Sequence, residues 1–164
     1  MLTLKRFIMT MCLPLVALSL TLGFNQAFAA DPINTLEKSG LFGYSPSGIA
    51  IRGTDTVAYF TEGKPVAGID KYTTQWQGAT WKFSSQKHLD LFKANPEKYA
   101  PQYGGYCAYG VAVGNLVKIE PEHWKIIDDK LYLNFNASLQ KKWEGDISGY
   151  IKEANAKFSQ LLAE

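Results

Sequence analysis

Beyond residue 29, three residues carry the soft or borderline donors that a transition metal or a redox centre requires: Cys107, His88 and His123. Thiolate and imidazole are the preferred ligands of copper and zinc, so a metal of that class would recruit these side chains first. Their spacing is long and irregular, unlike the short ligand pairs of structural zinc sites. Cys107 sits in the stretch Gln102-Tyr103-Gly104-Gly105-Tyr106-Cys107-Ala108-Tyr109-Gly110, which admits two readings. A helix starting there would place the thiol in its first turn, where unpaired N–H groups and the helix dipole make it acidic and reactive. Alternatively, Ala108, Val111, Ala112, Val113 and the flanking tyrosines bury it, which raises its pKa and leaves it inert. Taken singly, His88 reads as a solvated position on a surface helix, and His123, between Glu122 and Trp124, as a loop residue.

What precedes these residues sharpens the question about the thiol. Residues 1–29 read as a secretory leader: Lys5 and Arg6 form the charged start, Phe7 to Phe24 is mostly apolar, and Ala27-Phe28-Ala29 fits a small-x-small cleavage site. Cleavage is expected after Ala29, giving a periplasmic or otherwise exported protein with no membrane partner once the leader is gone. The other cysteine, Cys12, leaves with the leader, so Cys107 becomes the sole thiol and no intramolecular disulfide can form. In an oxidising compartment a lone cysteine is either buried, or kept for metal binding, redox chemistry or pairing between chains. Removing Lys5 and Arg6 takes the 17 basic residues to 15, matching the 15 acidic ones, for a formal charge of zero. The basic surface needed to release phosphate counterions is then absent, which argues against nucleic acid as a partner.

Other chemistries find little support. The glycines of the Cys107 stretch follow neither the nucleophile elbow, nor the phosphate loop, nor the dinucleotide fingerprint. Carboxylates are scattered, and adjacent Asp128 and Asp129 read as a turn. The four tryptophans, Trp76, Trp81, Trp124 and Trp143, sit at positions that burial explains. Asp55, Tyr59 and Tyr103 are further candidates for lining a pocket, each equally well explained as a turn former or a core residue.

The elements that must position these groups add up to an α+β pattern in one small domain. Residues 30–48 mix Pro, Gly, Ser and Asn without a period and read as an irregular arm; residues 49–164 read as the domain, with a C-terminal helix. Lys71 to Trp76 and Thr80 to Phe83 form one expected hairpin, and Trp124 to Ile127 with Leu131 to Phe135 a second, turning at Asp128-Asp129-Lys130. Ser84-Ser85 caps a helix that carries Leu89 and Phe92 and closes at Asn95-Pro96. Ile147, Ile151, Ala154, Phe158 and Leu161 recur at helical steps. The expected architecture is two β-hairpins forming a small antiparallel sheet, packed against several short helices and the C-terminal helix.

The run from Trp81 to Tyr99, WKFSSQKHLDLFKANPEKY, resembles the core of YHS domains, whose strand, turn and helix end in a Phe-x-x-Asn-Pro-Glu-x-Tyr signature. Gly53 to Phe60, Gly63 to Val66, Gln102 to Ala108 and Trp124 to Phe135 are similar to an exported subgroup that includes proteins labelled as selenoproteins. The resemblance extends over roughly residues 49–150. It implies metal handling, but the cysteines that metal-handling members use correspond here to Ala58, Ser84 and His88, so two thiols are lost and the third is replaced by imidazole. The selenoprotein association implies a functional role for Cys107. Together these give the expectation of an exported metal-binding module, copper ahead of zinc, with Cys107 as central ligand to Cu(I), assisted by His88 and with His123 a further candidate. The alternatives are a thiol redox protein that relies on an external thiol, having no resolving cysteine, and a structural or interaction domain with an inert cysteine.

Overall fold

Short local signals dictate most elements of the computed structural model, which describes residues 30–39, 41 and 43–164. The leader reading of residues 1–29 lies outside the described residues. The arm is not structureless: β1 (Leu36–Ser39) pairs antiparallel with β2 (Gly43–Pro46), a hairpin that no alternation in its sequence announces. Asp55 caps α1 (Thr56–Thr61) by accepting from the Val57 and Ala58 amides. In the next hairpin β3 (Ile69–Trp76) returns as β4 (Ala79–Phe83) through Gln77 and Gly78, both at positive φ (48° and 78°), the two-residue geometry that matches strand twist. Ser85 then caps α2 (Gln86–Ala94), and Asn95 both ends that helix and caps α3 (Pro96–Tyr99), with proline at its first position.

The second half repeats this economy. Cys107 itself precedes α4 (Ala108–Ala112); β5 (Trp124–Ile127) and β6 (Lys130–Leu133) turn on Asp128 and Asp129, again at positive φ. Asn136 caps α5 (Ala137–Glu144), and Asp146 caps α6 (Ile147–Leu161). The α+β class follows as expected, with one difference: the hairpins do not merge into one sheet. Among the described residues there are three separate two-stranded sheets. Helices and left-handed turns fill the spaces between them, so burial, and not sheet extension, holds the hairpins in place.

Two apolar clusters do that holding. One gathers Ile51, Val57, Tyr59, Trp81, Phe83, Phe92, Leu131 and Leu133; the other gathers Tyr103, Tyr106, Val111, Tyr132, Trp143 and Ala154. Strand β6 sits between them, because alternate side chains point to opposite faces: Leu131 and Leu133 enter the first, Tyr132 the second. Each large side chain fully removed from water contributes roughly 1.5–3 kcal/mol.

Several arm residues reach this core, Ile33 among them, and Asn34 makes the most hydrogen bonds to it. Ile51 and Arg52 (φ 50° and 55°) and Tyr103 and Gly104 (φ 56° and 59°) form two left-handed turns, an arrangement that costs free energy for residues other than glycine. Asn34, 2% exposed, ties them together. Its amide N–H donates to the Gly104 carbonyl at 2.8 Å, its side-chain NH2 to the Gly105 carbonyl at 2.9 Å, and its own carbonyl accepts from the Ile51 amide at 3.0 Å. A Cβ on Gly105 would collide with the Ile51 side chain, so the two turns touch directly.

Candidate functional site

His88 is not the solvated surface side chain its helix position suggests. It is 7% exposed, because it lies on the face of α2 turned toward α1, where Asp55 waits as a hydrogen-bond acceptor. Asp55 is fully buried, and both its oxygens are occupied. Oδ1 accepts from the amides of Val57 (3.0 Å) and Ala58 (3.4 Å); Oδ2 accepts from the Ser84 amide (2.8 Å), the Ser84 hydroxyl (2.6 Å) and His88 Nδ1 (2.7 Å). One carboxylate thus joins the start of α1, the end of β4 and the first turn of α2.

This arrangement fixes the imidazole tautomer. A carboxylate only accepts, so Nδ1 carries the proton and the neutral ring keeps a lone pair on Nε2. That nitrogen lies 3.2 Å from the hydroxyl of exposed Thr61 and 4.0 Å from Glu62 Oε1. Thr61 also donates to the Val57 carbonyl at 3.1 Å, so its hydroxyl has an alternative partner when Nε2 is otherwise engaged. Chemically the corner offers one oriented imidazole and one exposed carboxylate.

Cys107 lies in a different environment. It is 0% exposed and belongs to the first apolar cluster. Its thiol donates to Asn134 Oδ1 at 3.6 Å, and its sulfur accepts the Gly110 amide at 3.4 Å as the cap of α4. Burial pushes the thiol pKa above its ordinary value, against the opposing pull of the Gly110, Phe135 and Tyr109 amides. Of the two readings open at this residue, the geometry matches the buried one. The expectation of Cys107 as central ligand, helped by His88 and His123, lacks geometric support: among the described residues no group of three His, Cys, Asp or Glu side chains is arranged to hold a metal ion. His123 occupies a loop, as expected, and meets the Cys107 neighbourhood through its backbone, its carbonyl accepting from the Asn134 amide at 2.7 Å.

The remaining candidates divide. Tyr59 is core: 1% exposed, packed edge-on against Trp124, its hydroxyl donating to the Pro121 carbonyl at 2.9 Å. Burial raises its pKa, with Glu122 adding to the effect. Tyr103 does line a cleft of about 480 Å³, together with Trp76, Asn155 and Phe158, and donates its hydroxyl to Asn155 Oδ1 at 3.0 Å. Asp55 is the anchor of the corner and is fully buried. The residues that sequence reasoning missed are Thr61 and Glu62, and the one signal available was their position at the end of the apolar run Thr56 to Phe60, opposite no recognisable partner.

No curated protein and no solved structure matches this chain. A family model does match part of it, fewer than half of the 164 residues but including α1, β3, β4, α2 and α3. Residues 57–103, which carry Ala58, Glu62, Ser84 and His88, match the YHS domain, a module associated with metal handling.

Proposed function

We propose that this chain is an exported metal-handling module, a binder and not an enzyme, that meets divalent copper, ahead of zinc, at His88 Nε2 and the Glu62 carboxylate. The observation that carries the reading is the oriented imidazole: Asp55 accepts the hydrogen bond from Nδ1 at 2.7 Å, leaving Nε2 4.0 Å from the exposed Glu62 carboxylate. A carboxylate behind a ligating histidine fixes the ring and raises its basicity. The three positions that the YHS resemblance aligns with cysteine ligands add support. The Ala58 amide, the Ser84 hydroxyl and the His88 ring all hydrogen-bond to Asp55, so the place is kept while the donors are exchanged.

The donor set decides which ion fits. Imidazole and carboxylate suit Cu(II) or Zn(II), whereas Cu(I) favours thiolate, and a Cu(I) pair of Cys107 and His88 does not fit a thiol enclosed by Asn134 and backbone amides. A bound ion would act as acceptor of the Nε2 and carboxylate lone pairs. Two protein donors leave the other positions to water or a partner, which suits an exchangeable contact better than a closed structural site.

Titration of the protein with Cu(II) against a weak competing chelator tests the reading. Glu62→Gln, an exposed change, is expected to weaken binding about tenfold, and His88→Asn to remove it. Cys107→Ala is expected to bind like wild type. Equal binding by wild type, Glu62→Gln and His88→Asn sinks the proposal, and a loss confined to Cys107→Ala returns the site to the thiol.

A further inference from the structure

The backbone nitrogen of Ala30 donates to the carbonyl of Leu162 at 3.1 Å, at the C-terminal end of α6. Two facts give that contact weight. The last carbonyls of a helix carry a partial negative charge that a cation stabilises, and the last turn of α6 has no basic residue to supply one. Independently, Ala30 is the residue that becomes the chain's first once the leader is cut after Ala29. We propose that leader removal creates the missing cation: the new α-ammonium of Ala30 seats on the C-terminal end of α6 and clamps the arm to that helix. In the uncut chain the same nitrogen is a neutral amide and makes the bond without the charge. The inference rests on the export reading and is independent of the metal reading.

The surroundings favour the charged form. Asp31 is adjacent on the arm, Glu164 lies two residues past Leu162, and the phenol of Tyr106, which donates to the Asp31 carbonyl at 2.9 Å, is pushed up to about 12 by burial. The group that meets the amine is the helix end, through the Leu162 carbonyl at 3.1 Å; the two carboxylates are near it only along the chain. An α-amino group titrates at about 7.7–8.0 in an unfolded chain, and the partial negative charge of the helix end raises that value in the folded one. The clamp's contribution is therefore complete below about pH 7.5 and is lost as pH rises through the raised value.

The full chain, expressed with its leader in an exporting bacterial host, supplies the test. Mass analysis of the exported product is expected to place Ala30 first. A second chain with Gly-Ser inserted between Ala29 and Ala30 keeps the bond-forming N–H but moves the ammonium away. At pH 6.5 the insertion is expected to lower the folded-to-unfolded ratio about two- to fivefold, with no difference at pH 10. A first residue other than Ala30, equal stability of the two chains at pH 6.5, or a difference that persists unchanged at pH 10 would each overturn the proposal.

Discussion

His88 and Cys107 are the two residues best equipped to hold a soft or borderline cation, and the fold treats them in opposite ways. His88 is fixed from behind by a buried carboxylate and keeps one nitrogen beside the exposed residues Thr61 and Glu62. Cys107 is enclosed on all sides, and its sulfur is used to cap a short helix and to meet Asn134. The difference lies in what stands behind each atom. A carboxylate leaves the far side of a ring available, whereas a ring of amides and apolar side chains consumes the only donor a thiol has. Chemical endowment by residue type is therefore a poor guide to function until the neighbours are known.

The sharpest way to break this contrast is at its anchor. Asp55→Ala leaves the Val57, Ala58 and Ser84 amides without their acceptor, and an equilibrium denaturation series should show a loss of about 3–5 kcal/mol. Asp55→Asn is more discriminating: its amide group would donate to Nδ1 and move the imidazole proton to Nε2. Nitrogen chemical shifts of His88 are expected to show that exchange, and an unchanged tautomer would mean that Asp55 does not orient the ring.

The Cys107 side of the comparison predicts smaller effects. Cys107→Ala is expected to cost about 1–2 kcal/mol through the lost cap and the space left behind, measured by the same denaturation. A thiol reagent should label native wild type only as fast as the protein unfolds; rapid labelling at neutral pH would contradict the buried reading. Alkali should also destabilise the protein. The Cys107 thiol sits above its ordinary 9.0 and the Tyr106 phenol is pushed from 10.0 to about 12, both chiefly by burial. Raised values mean that the stability these groups contribute is whole below pH 9 and is lost as pH climbs through their folded values. Stability measured from pH 8 to 12 should fall accordingly, and a flat profile would show that neither group is protected. The smallest effect belongs to Glu62→Gln, which should leave stability within about 0.5 kcal/mol while weakening Cu(II) binding.

Local signals were legible in the sequence where they are self-sufficient. The Ser85 and Asn95 caps, the Asp128-Asp129 turn and the helical spacing of Ile147 to Leu161 all act within a few residues, and the elements stand where they point. Asn34 could not be read this way, since its partners are Ile51, Gly104 and Gly105 and nothing nearby marks it as a tie. His88 failed for the same reason: its partner lies 33 positions away, and a helix position alone does not reveal a buried acceptor on the next element. At Cys107 the flanking residues supported burial and exposure equally, and the choice depended on Asn134, on a segment far along the chain.

The meeting of Ala30 with Leu162 has a topological consequence. The first and last described segments meet at that hydrogen bond, so a short linker from the end of α6 to Ala30 could join them into a closed ring without redrawing the core. New ends opened at exposed Gly114, where an added side chain would meet open space, would give a circularly permuted protein. Such a molecule would retain every element and both left-handed turns, but it would have no free amine at α6. Its stability relative to the linear chain would separate what the packing specifies from what a single terminal charge adds.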